Sequence, residues 1–410
     1  MQHAPFPARG SYADGFEPVA RTFAEALARG AEIGAALSVY QRGVQVVDLW
    51  GGLADTTTGR AWERDTRIVV FSVTKGLAAM GMHLLADRGV FDWDEPVATY
   101  WPELGQRGKH AISVRTLLNH RAGLPYLDVP LSLRDCIDPA RAGHVLGALE
   151  RQAPAWRPGE EQGYHALTYG LYLSELFARL AGEPLGPFLE RELFQVVGSD
   201  ARLGTPASED SRQATLYVPS TRERLLELAR DALLAGSSPE MRIMRDAFSR
   251  KSLVRRAFTN PSPGPRGLQA YADVEVRRAA LAWASATASA DGIARAYLPF
   301  ASDGRFGDAQ LFSRGSLAPV YRRQSWSPRD LLLKKPLGWS QGFLKEERQT
   351  FSPNPESFGH AGMGGALGWC DPTAELCIGY VMNRMDGRVR SPRALALCRS
   401  LYECEPLCGS

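Results

Sequence analysis

Ser72 and Lys75 are the first residues in the sequence whose types and spacing could do chemistry. They stand where an apolar stretch, VVF, changes into a helical pattern, VTKGLAAMGMHLLADRG. Residues i and i+3 of a helix share one face, so the Ser72 hydroxyl and the Lys75 amine can meet in one cleft. An amine with a lowered pKa can take the hydroxyl proton, and a backbone N–H at a helix N-terminus can stabilise an oxyanion. A capping hydroxyl and a solvated lysine are the alternative.

Tyr164 and His360 lie further along the chain and can complete such a site. Tyr164 follows the Pro158–Gly159 loop and precedes the apolar helical run LYLSELFARLAG. A phenol at a loop-to-helix junction can reach into a cleft and act as an acid or a base. His360 precedes the Gly-rich sequence AGMGG, whose backbone can approach a ligand closely. Each also fits an ordinary role, the tyrosine in a core and the histidine at a strand end.

Four segments in order give the sequence a resemblance to a known superfamily: FSVTKG, LLNHRAGLP, PGEEQGYHALTYG and GHAGMGGALGWCDP. S-x-x-K is the nucleophile motif of the serine β-lactamases and penicillin-binding proteins. From about residue 15 to about residue 401 the chain resembles this superfamily, in its class C-like branch, and most of all the family VIII carboxylesterases. The resemblance implies an α/β (α+β) β-lactamase/transpeptidase-like fold, with an antiparallel sheet flanked by helices and an inserted all-helical lobe.

The resemblance also implies the roles of the matching residues. Ser72 would be the acylated nucleophile, and Lys75 and Tyr164 would share the proton transfers, with Tyr164 as a phenolate beside Lys75. The tripeptide His360-Ala361-Gly362 stands where the lactamases carry Lys-Thr-Gly. The oxyanion hole would be formed by the backbone N–H groups of Ser72 and Met363.

Two departures from the lactamase pattern bear on the substrate. The lactamase Tyr-x-Asn has become Tyr164-His165-Ala166, which removes an amide that would orient a β-lactam or peptide carbonyl. His360 replaces a lysine, which weakens a permanent cation that would hold a substrate carboxylate. Both changes favour small acyl esters. Asn119, His120 and Gly123 of the LLNHRAGLP segment are expected to be structural.

A rival nucleophile motif occurs at Gly338-Trp339-Ser340-Gln341-Gly342, which matches the G-x-S-x-G elbow of α/β-hydrolases. That elbow needs a strand before the serine, a helix directly after it, and then an acid and a histidine. Pro336 interrupts the run before the serine, and FLKEERQTFSPNP does not have a long helical pattern. We therefore interpret Ser340 as a strand residue.

The remaining pattern places strands at both ends of the chain and helices between them. Residues 16–29 predict a helix, 35–40 and 44–50 a hairpin through Gln41-Arg42-Gly43, and the segments GWSQGFL, ALGWCDP and LCIGYVMN predict strands before a helix at 393–404. We expect one catalytic domain over 1–410, with an α/β lobe at about 15–91 and 300–405. A helical lobe would span about 92–299.

Composition excludes several functions. The net charge is +3, from 48 basic and 45 acidic residues, which argues against nucleic-acid binding. No apolar run reaches the roughly 20 residues that cross a bilayer, and the first residues lack a signal-peptide pattern. We expect a cytoplasmic protein that acts on small molecules, without nucleic-acid or membrane partners. The six cysteines form no C-x-x-C pair and no metal-ligand spacing is evident, so no cofactor or metal is expected.

The sequence thus predicts a serine hydrolase that cleaves short-chain carboxylic esters through a Ser72 acyl-enzyme. An acyltransferase or peptide cyclase of the same fold, which passes the acyl group to an amine or alcohol, is one alternative, and a weak β-lactamase is another. A non-enzymatic structural relative is a third. The Arg-rich segment at 221–258 is either a lid or substrate wall or ordinary lobe packing. The oligomeric state is not predicted.

Overall fold

The computed structural model describes residues 1–4, 7–220, 223, 239–249, 251–388 and 390–407. Its strands, in chain order, are β1 Gln2–His3, β2 Arg9–Tyr12, β3 Gly34–Gln41, β4 Val44–Asp55, β5 Arg60–Ala61, β6 Ile68–Val69, β7 Thr287–Ala288, β8 Arg305–Phe306, β9 Ala309–Gln310, β10 Ser325–Ser327, β11 Leu337–Ser340, β12 Phe343–Lys345, β13 Phe358–Ala361, β14 Leu367–Asp371 and β15 Leu376–Met382.

The α-helices within these ranges are α1 Glu17–Ala28, α2 Val73–Asp87, α3 Val97–Tyr100, α4 Val114–Leu118, α5 Leu133–Ile137, α6 Ala142–Arg151, α7 Thr168–Ala181, α8 Leu185–Leu189, α9 Gln195–Val197, α10 Pro239–Phe248, α11 Leu253–Thr259, α12 Val274–Arg278, α13 Ala290–Ala301, α14 Arg314–Tyr321 and α15 Pro392–Tyr402. A π-helical turn, Glu190–Phe194, joins α8 to α9. Short 3₁₀ turns are Pro102–Gly105, Pro139–Arg141, Ala207–Arg212, Gly267–Ala272 and Glu405–Leu407.

One antiparallel sheet is formed from both ends of the chain. Its order is β1-β2-β4-β3-β15-β14-β13-β12-β11-β10, with β5 added beside β4. The N-terminal and C-terminal segments meet where β3 pairs with β15, in a register that places Val39 opposite Ile378. The predicted shared sheet and the predicted fold class are confirmed.

Paired glycines let a helix lie close against this sheet. Gly368 and Gly379 are opposite each other on β14 and β15. A Cβ atom on Gly379 would lie 1.9 Å from the carbonyl oxygen of Ala290, and one on Gly368 would lie 2.8 Å from Ile293. Because side chains alternate along a strand, the neighbours of these glycines point to the opposite face, where α1 and α15 cover the sheet.

Helix α2 lies beside α13 on the same side of the sheet. It packs against β12 and β13 as well as against α7 and α8. All of its residues from Val73 to Leu85 are buried, so it is a core helix with no solvent-facing stripe. Gly76 permits the close contact with α13, because a Cβ atom there would lie 2.6 Å from the Tyr297 hydroxyl.

Helices fill the chain between β6 and β7, where the described residues form no strand longer than an isolated bridge. Helix α13 falls within the segment that the sequence assigned to the helical lobe, yet it packs on the sheet. The two-lobe division, with a helical lobe at about 92–299, stays a prediction. None of the described helices is both long and apolar enough to cross a membrane.

The sequence-predicted hairpin β3–β4 and a second hairpin, β11–β12 within the predicted strand segment GWSQGFL, both turn through two residues with positive φ. Arg42 and Gly43 have φ of 50° and 74°, and Gln341 and Gly342 have φ of 46° and 91°. Such values at both central positions are typical of type I′ turns, which match the twist of antiparallel strands. Ser340 is therefore the last residue of β11, directly before a hairpin turn into β12. The interpretation of Ser340 as a strand residue is confirmed, since no helix follows it.

We predict that Gly342→Ala destabilises the fold by about 2–4 kcal/mol. Alanine at positive φ costs about 1 kcal/mol, and its Cβ atom would lie 2.7 Å from the Tyr169 hydroxyl and 2.9 Å from Ala79. Gly43→Ala is the matched control, because the turn conformation is similar but nothing lies within 4 Å of the added atom. Urea unfolding should show a loss of about 1 kcal/mol in the control. Equal losses in the two variants would contradict the packing argument.

Candidate active site

Ser72 lies at the junction of β6 and α2. Phe71, the residue before it, has a φ of 46°, and bulky residues rarely adopt this conformation outside functional sites. The Ser72 side chain makes no capping hydrogen bond to the helix, although it occupies the N-cap position. The alternative of a capping serine is therefore wrong, and the hydroxyl is available for other partners.

Lys75 and Tyr164 are those partners. Lys75 Nζ lies 3.1 Å from Ser72 Oγ, and the Tyr164 hydroxyl donates a hydrogen bond of 2.9 Å to the same oxygen. Lys75 Nζ also donates to the carbonyl oxygen of Trp283 at 2.9 Å. The structure thus brings together all three residues that the sequence analysis placed in the catalytic group.

Burial favours the neutral forms of this group. Lys75 is fully buried, and desolvation holds its pKa well below the usual value. Among the described residues its amine hydrogen-bonds only to the Ser72 and Trp283 oxygens, which would leave an ammonium with one N–H unpaired, with the Tyr164 ring centroid 5.1 Å away. Burial also raises the pKa of Tyr164. A lysine amine beside a tyrosine phenol therefore agrees better with the surroundings than the expected phenolate beside an ammonium.

Tyr164 is positioned by two residues that the sequence analysis missed. Asp330, fully buried, accepts the backbone N–H groups of Tyr164 at 3.2 Å and of Leu332 and Leu333 at 2.9 Å each. Trp339 stacks on the Tyr164 ring, with the ring centroids 5.8 Å apart and the planes at 9°. The signal for Asp330 was a short acidic residue before LLLKKP, typical of an Asx turn. Trp339 belonged to the rejected G-x-S-x-G motif and was passed over.

His165 supports the loop behind Tyr164 instead of facing the serine. Its Nδ1–H donates to the Gly163 carbonyl at 2.7 Å, and its Nε2 accepts the Leu124 N–H at 2.9 Å. Its backbone N–H donates to His120 Nδ1 at 3.1 Å. The structural role expected for His120 agrees with these contacts, as does that of Gly123, where a Cβ atom would lie 2.5 Å from the Trp156 carbonyl oxygen.

Asn119 has the expected structural contacts as well. Its side-chain amide donates to Gln324 at 3.1 Å and accepts the N–H of Gly342 at 3.3 Å. It therefore ties the segment behind Ser72 to the β11–β12 hairpin turn. Ser340 in that hairpin is fully buried, and its hydroxyl donates to the Pro319 carbonyl at 3.0 Å. This hydroxyl is therefore committed to a backbone partner.

The segment from His360 to Met363 forms the wall opposite Tyr164. Gly362 lies against the residue that follows β6, since a Cβ atom there would be 2.4 Å from the Val70 carbonyl oxygen. This contact brings the neighbouring Met363 near Ser72, and both line one cavity. The backbone N–H groups of Ser72 and Met363 have no acceptor among the residues that the structure describes. They are thus free to bind a developing oxyanion, as the resemblance implies.

His360 is a neutral imidazole. Burial lowers the pKa of His360 to about 3. Its Nδ1–H donates to the carbonyl oxygen of Ala361 at 2.9 Å, and its buried Nε2 has no partner in the described part of the chain. The sequence predicted that His360 would weaken the cation at this position. At neutral pH, His360 carries no positive charge at all.

The site opens into a cavity of about 510 Å³. Its lining is mainly apolar, and α10 and α11 of the Arg-rich segment contribute Ile243, Met244 and Phe258. Part of the predicted lid or substrate wall, residues 221–222, 224–238 and 250, lies outside the described residues. Of the described part, residues of α10 and α11 line the cavity.

Metal-ligand geometry is not found in the described ranges, where no group of three His, Cys, Asp or Glu side chains could hold an ion. The five described cysteines are free thiols. Cys370, Cys377, Cys398 and Cys404 are buried, and Cys136 is partly buried. Their burial agrees with a role in core packing.

The fold and the sequence together define the class of protein. The model of the Beta-lactamase family matches residues 19–399, so the chain belongs to that family. An esterase/β-lactamase, LipL of Mycobacterium tuberculosis, is 32% identical over 377 residues, which are 90% of this chain and 81% of LipL.

Solved structures agree with this assignment. The crystal structure of a family VIII carboxylesterase superposes with a TM-score of 0.84 at 31% identity and covers 97% of this chain and 100% of its own. A penicillin-binding-protein homologue from Caulobacter crescentus gives 0.83 at 29% identity, with coverage of 97% and 99%. The predicted superfamily is confirmed.

Acid stability should reflect the buried histidines around the site. Burial lowers the pKa of His83 to about 4, of His165 and His360 to about 3, and of His120 well below the usual value. In the unfolded chain a histidine has a pKa of about 6.5. Below that pH the unfolded chain binds a proton that the folded protein does not bind, so the free energy of unfolding decreases as the pH falls. Between pH 6 and 5, each such histidine should lower the free energy of unfolding by about 1.4 kcal/mol per pH unit.

The variant His360→Asn tests this prediction, because it removes one of these groups from a cavity wall. Urea unfolding between pH 6 and 5 should show a slope of the free energy of unfolding that is smaller by about 1.4 kcal/mol per pH unit. His144→Asn, at an exposed position of α6, is the control and should leave the slope unchanged. An unchanged slope in His360→Asn would mean that its imidazole is already charged in the folded protein.

Proposed function

We propose that the protein is a serine carboxylesterase that forms an acyl-enzyme at Ser72. The observation that carries the proposal is the Ser72 hydroxyl, hydrogen-bonded to both a buried amine and a buried phenol at the wall of an apolar cavity. Relatives named as esterases support it: LipL, the family VIII carboxylesterase and EstB of Burkholderia gladioli, which is 32% identical over 213 residues.

Acylation begins with the transfer of the Ser72 proton to the neutral amine of Lys75. The serine oxygen attacks the ester carbonyl carbon, and the N–H groups of Ser72 and Met363 bind the oxygen that becomes negative. The Tyr164 phenol then donates its proton to the departing alkoxide, and Lys75 returns a proton to Tyr164. The bond to the alcohol breaks, and the acyl group stays on Ser72.

Deacylation uses the same groups in reverse. Water takes the place of the alcohol beside Tyr164, loses a proton to the Tyr164–Lys75 pair and attacks the acyl carbonyl. The tetrahedral oxygen is again bound by the two N–H groups. Collapse returns the proton to Ser72 Oγ and releases the carboxylic acid, so the catalyst is regenerated without a cofactor.

The surroundings favour esters over β-lactams. The neutral His360 provides no permanent cation at the position of the lactamase lysine, and Ala166 provides no amide beside the acyl carbonyl. The mainly apolar lining suits the alkyl parts of an ester. Transfer to an amine or another alcohol would use the same acyl-enzyme, so it remains the alternative outcome. A cytoplasmic location and small-molecule substrates stay predictions.

Covalent labelling tests the nucleophile. Intact-mass spectrometry after exposure to a fluorophosphonate should show one adduct on wild type and on Ser340→Ala, and none on Ser72→Ala. Turnover of p-nitrophenyl butyrate should fall at least 10³-fold in Ser72→Ala. Circular dichroism confirms that each variant is folded. An adduct that disappears only in Ser340→Ala would overturn the proposal.

The pH dependence separates the amine from the phenol as the base. The kcat/KM of wild type should fall as the pH decreases through the lowered pKa of Lys75, because the amine becomes protonated. Tyr164→Phe should keep this acidic limb. Since the phenol serves the leaving group, the variant should lose about 10²–10⁴-fold on ethyl butyrate and much less on p-nitrophenyl butyrate, whose leaving group needs no proton. An acidic limb that vanishes in Tyr164→Phe would instead identify a phenolate base.

A further inference from the structure

Lys335 is a charged side chain in the apolar cavity that the proposed reaction does not use. It lines the same cavity as Ser72 and is partly buried. Within the described residues its amine makes neither a hydrogen bond nor an ion pair. The adjacent Lys334 differs, because its amine pairs with Asp246 at 2.9 Å and it does not line the cavity.

The position of Lys335 fixes where it would meet a substrate. Lys335 follows a turn in which Lys334 has a φ of 57° and the Asp330 N–H donates to the Lys335 carbonyl at 2.9 Å. The Asp330 side chain also accepts the Tyr164 N–H at 3.2 Å, so this turn lies beside the Tyr164 segment. Lys335 lines the cavity together with Leu333, Leu337 and Trp339. It therefore shares the cavity with the reacting groups.

The acidic groups near Lys335 do not form an ion pair with its amine. Glu240 lines the same cavity, and Glu240 and the buried Asp330 attract Lys335 without pairing with it. Asp386 is paired with Arg393 at 3.3 Å. Arg390, which also lines the cavity, forms an ion pair with Glu347. Burial, followed by repulsion from Arg390, lowers the pKa of Lys335, so its ammonium lacks the compensation that a bound anion would provide.

We propose that Lys335 binds a carboxylate of the ester substrate. The inference rests on the proposed function and narrows its substrate class to esters that also carry an acid. The carboxylate accepts charge-assisted hydrogen bonds from the Lys335 ammonium, and the apolar lining holds the hydrocarbon part between the ester and the acid. Half-esters of dicarboxylic acids have this form on the acyl side, and esters of carboxylated phenols have it on the alcohol side.

Paired substrates test the acyl and alcohol sides separately. The acyl pair is the mono-p-nitrophenyl ester of octanedioic acid and its methyl ester; the alcohol pair is 4-carboxyphenyl butyrate and its methyl ester. For at least one of the two pairs, the kcat/KM of wild type should be higher for the free acid than for its methyl ester. This preference should fall about 10- to 100-fold in Lys335→Met and persist in Lys335→Arg. Lys334→Met is the matched control and should leave it unchanged.

The outcomes distinguish the two proposals. Failure of wild type to hydrolyse any of these esters would overturn the proposed function. Hydrolysis of the neutral esters without an acid preference, or with a preference that survives in Lys335→Met, would overturn only the role of Lys335. Calorimetric binding of octanedioate needs no turnover, so it decides that role independently: wild type should bind at least 10-fold more tightly than Lys335→Met, and equal binding would contradict it.

Discussion

The burial of the Lys75 amine is the constraint on which the rest of the site depends. An amine in the protein interior must be neutral or fully paired, and here it has two oxygen neighbours and no carboxylate. One neighbour, Ser72, belongs to the same helix. The other, the carbonyl of Trp283, belongs to a segment 208 residues further along the chain. The amine is therefore useful as a base only when the helical segments have closed over α2.

A neutral, hydrogen-bonded site differs physically from a site built on permanent charges. The Tyr164 hydroxyl, the Ser72 hydroxyl, the Lys75 amine and the Trp283 carbonyl form one chain of donors and acceptors. Such a chain links the four groups in the resting protein without a permanent charge among them, which a medium of low dielectric constant favours. His360, a neutral imidazole at the opposite wall, adds no charge.

The sequence predicted those parts of the structure that depend on short-range patterns. The turn Arg42-Gly43 and the strands beside it follow from local residue preferences, and the Ser72–Lys75 pair follows from helical periodicity. Tyr164 and His360 could be assigned only through the family resemblance, because nothing local shows that residues 72, 164 and 360 meet. Asp330 was missed because its role, the acceptance of the Tyr164 N–H, is a contact across 166 residues.

Helix α13 shows why packing partners are hard to predict from a helical sequence. Its sequence is helical like that of the preceding segments, and the feature that assigns it to the sheet is the pair of glycines opposite it on β14 and β15. Those glycines come 67 or more residues later in the sequence, so the sequence of the helix does not show which element it packs against. Packing partners of this kind are known only once the strand order is known.

The pairing of β3 with β15 has a consequence for how the protein is made. The two central strands of the sheet are joined across almost the whole chain, and Gly34 bonds to a residue 349 positions away. The edge of β3 that receives β15 must stay unpaired during synthesis until the last strand has left the ribosome. Long-range pairings of this kind form slowly and leave strand edges open to wrong partners. The sheet of the nascent chain therefore cannot close before β15 has been synthesised, and a truncation that removes β15 would abolish the sheet and the hydrolase site together.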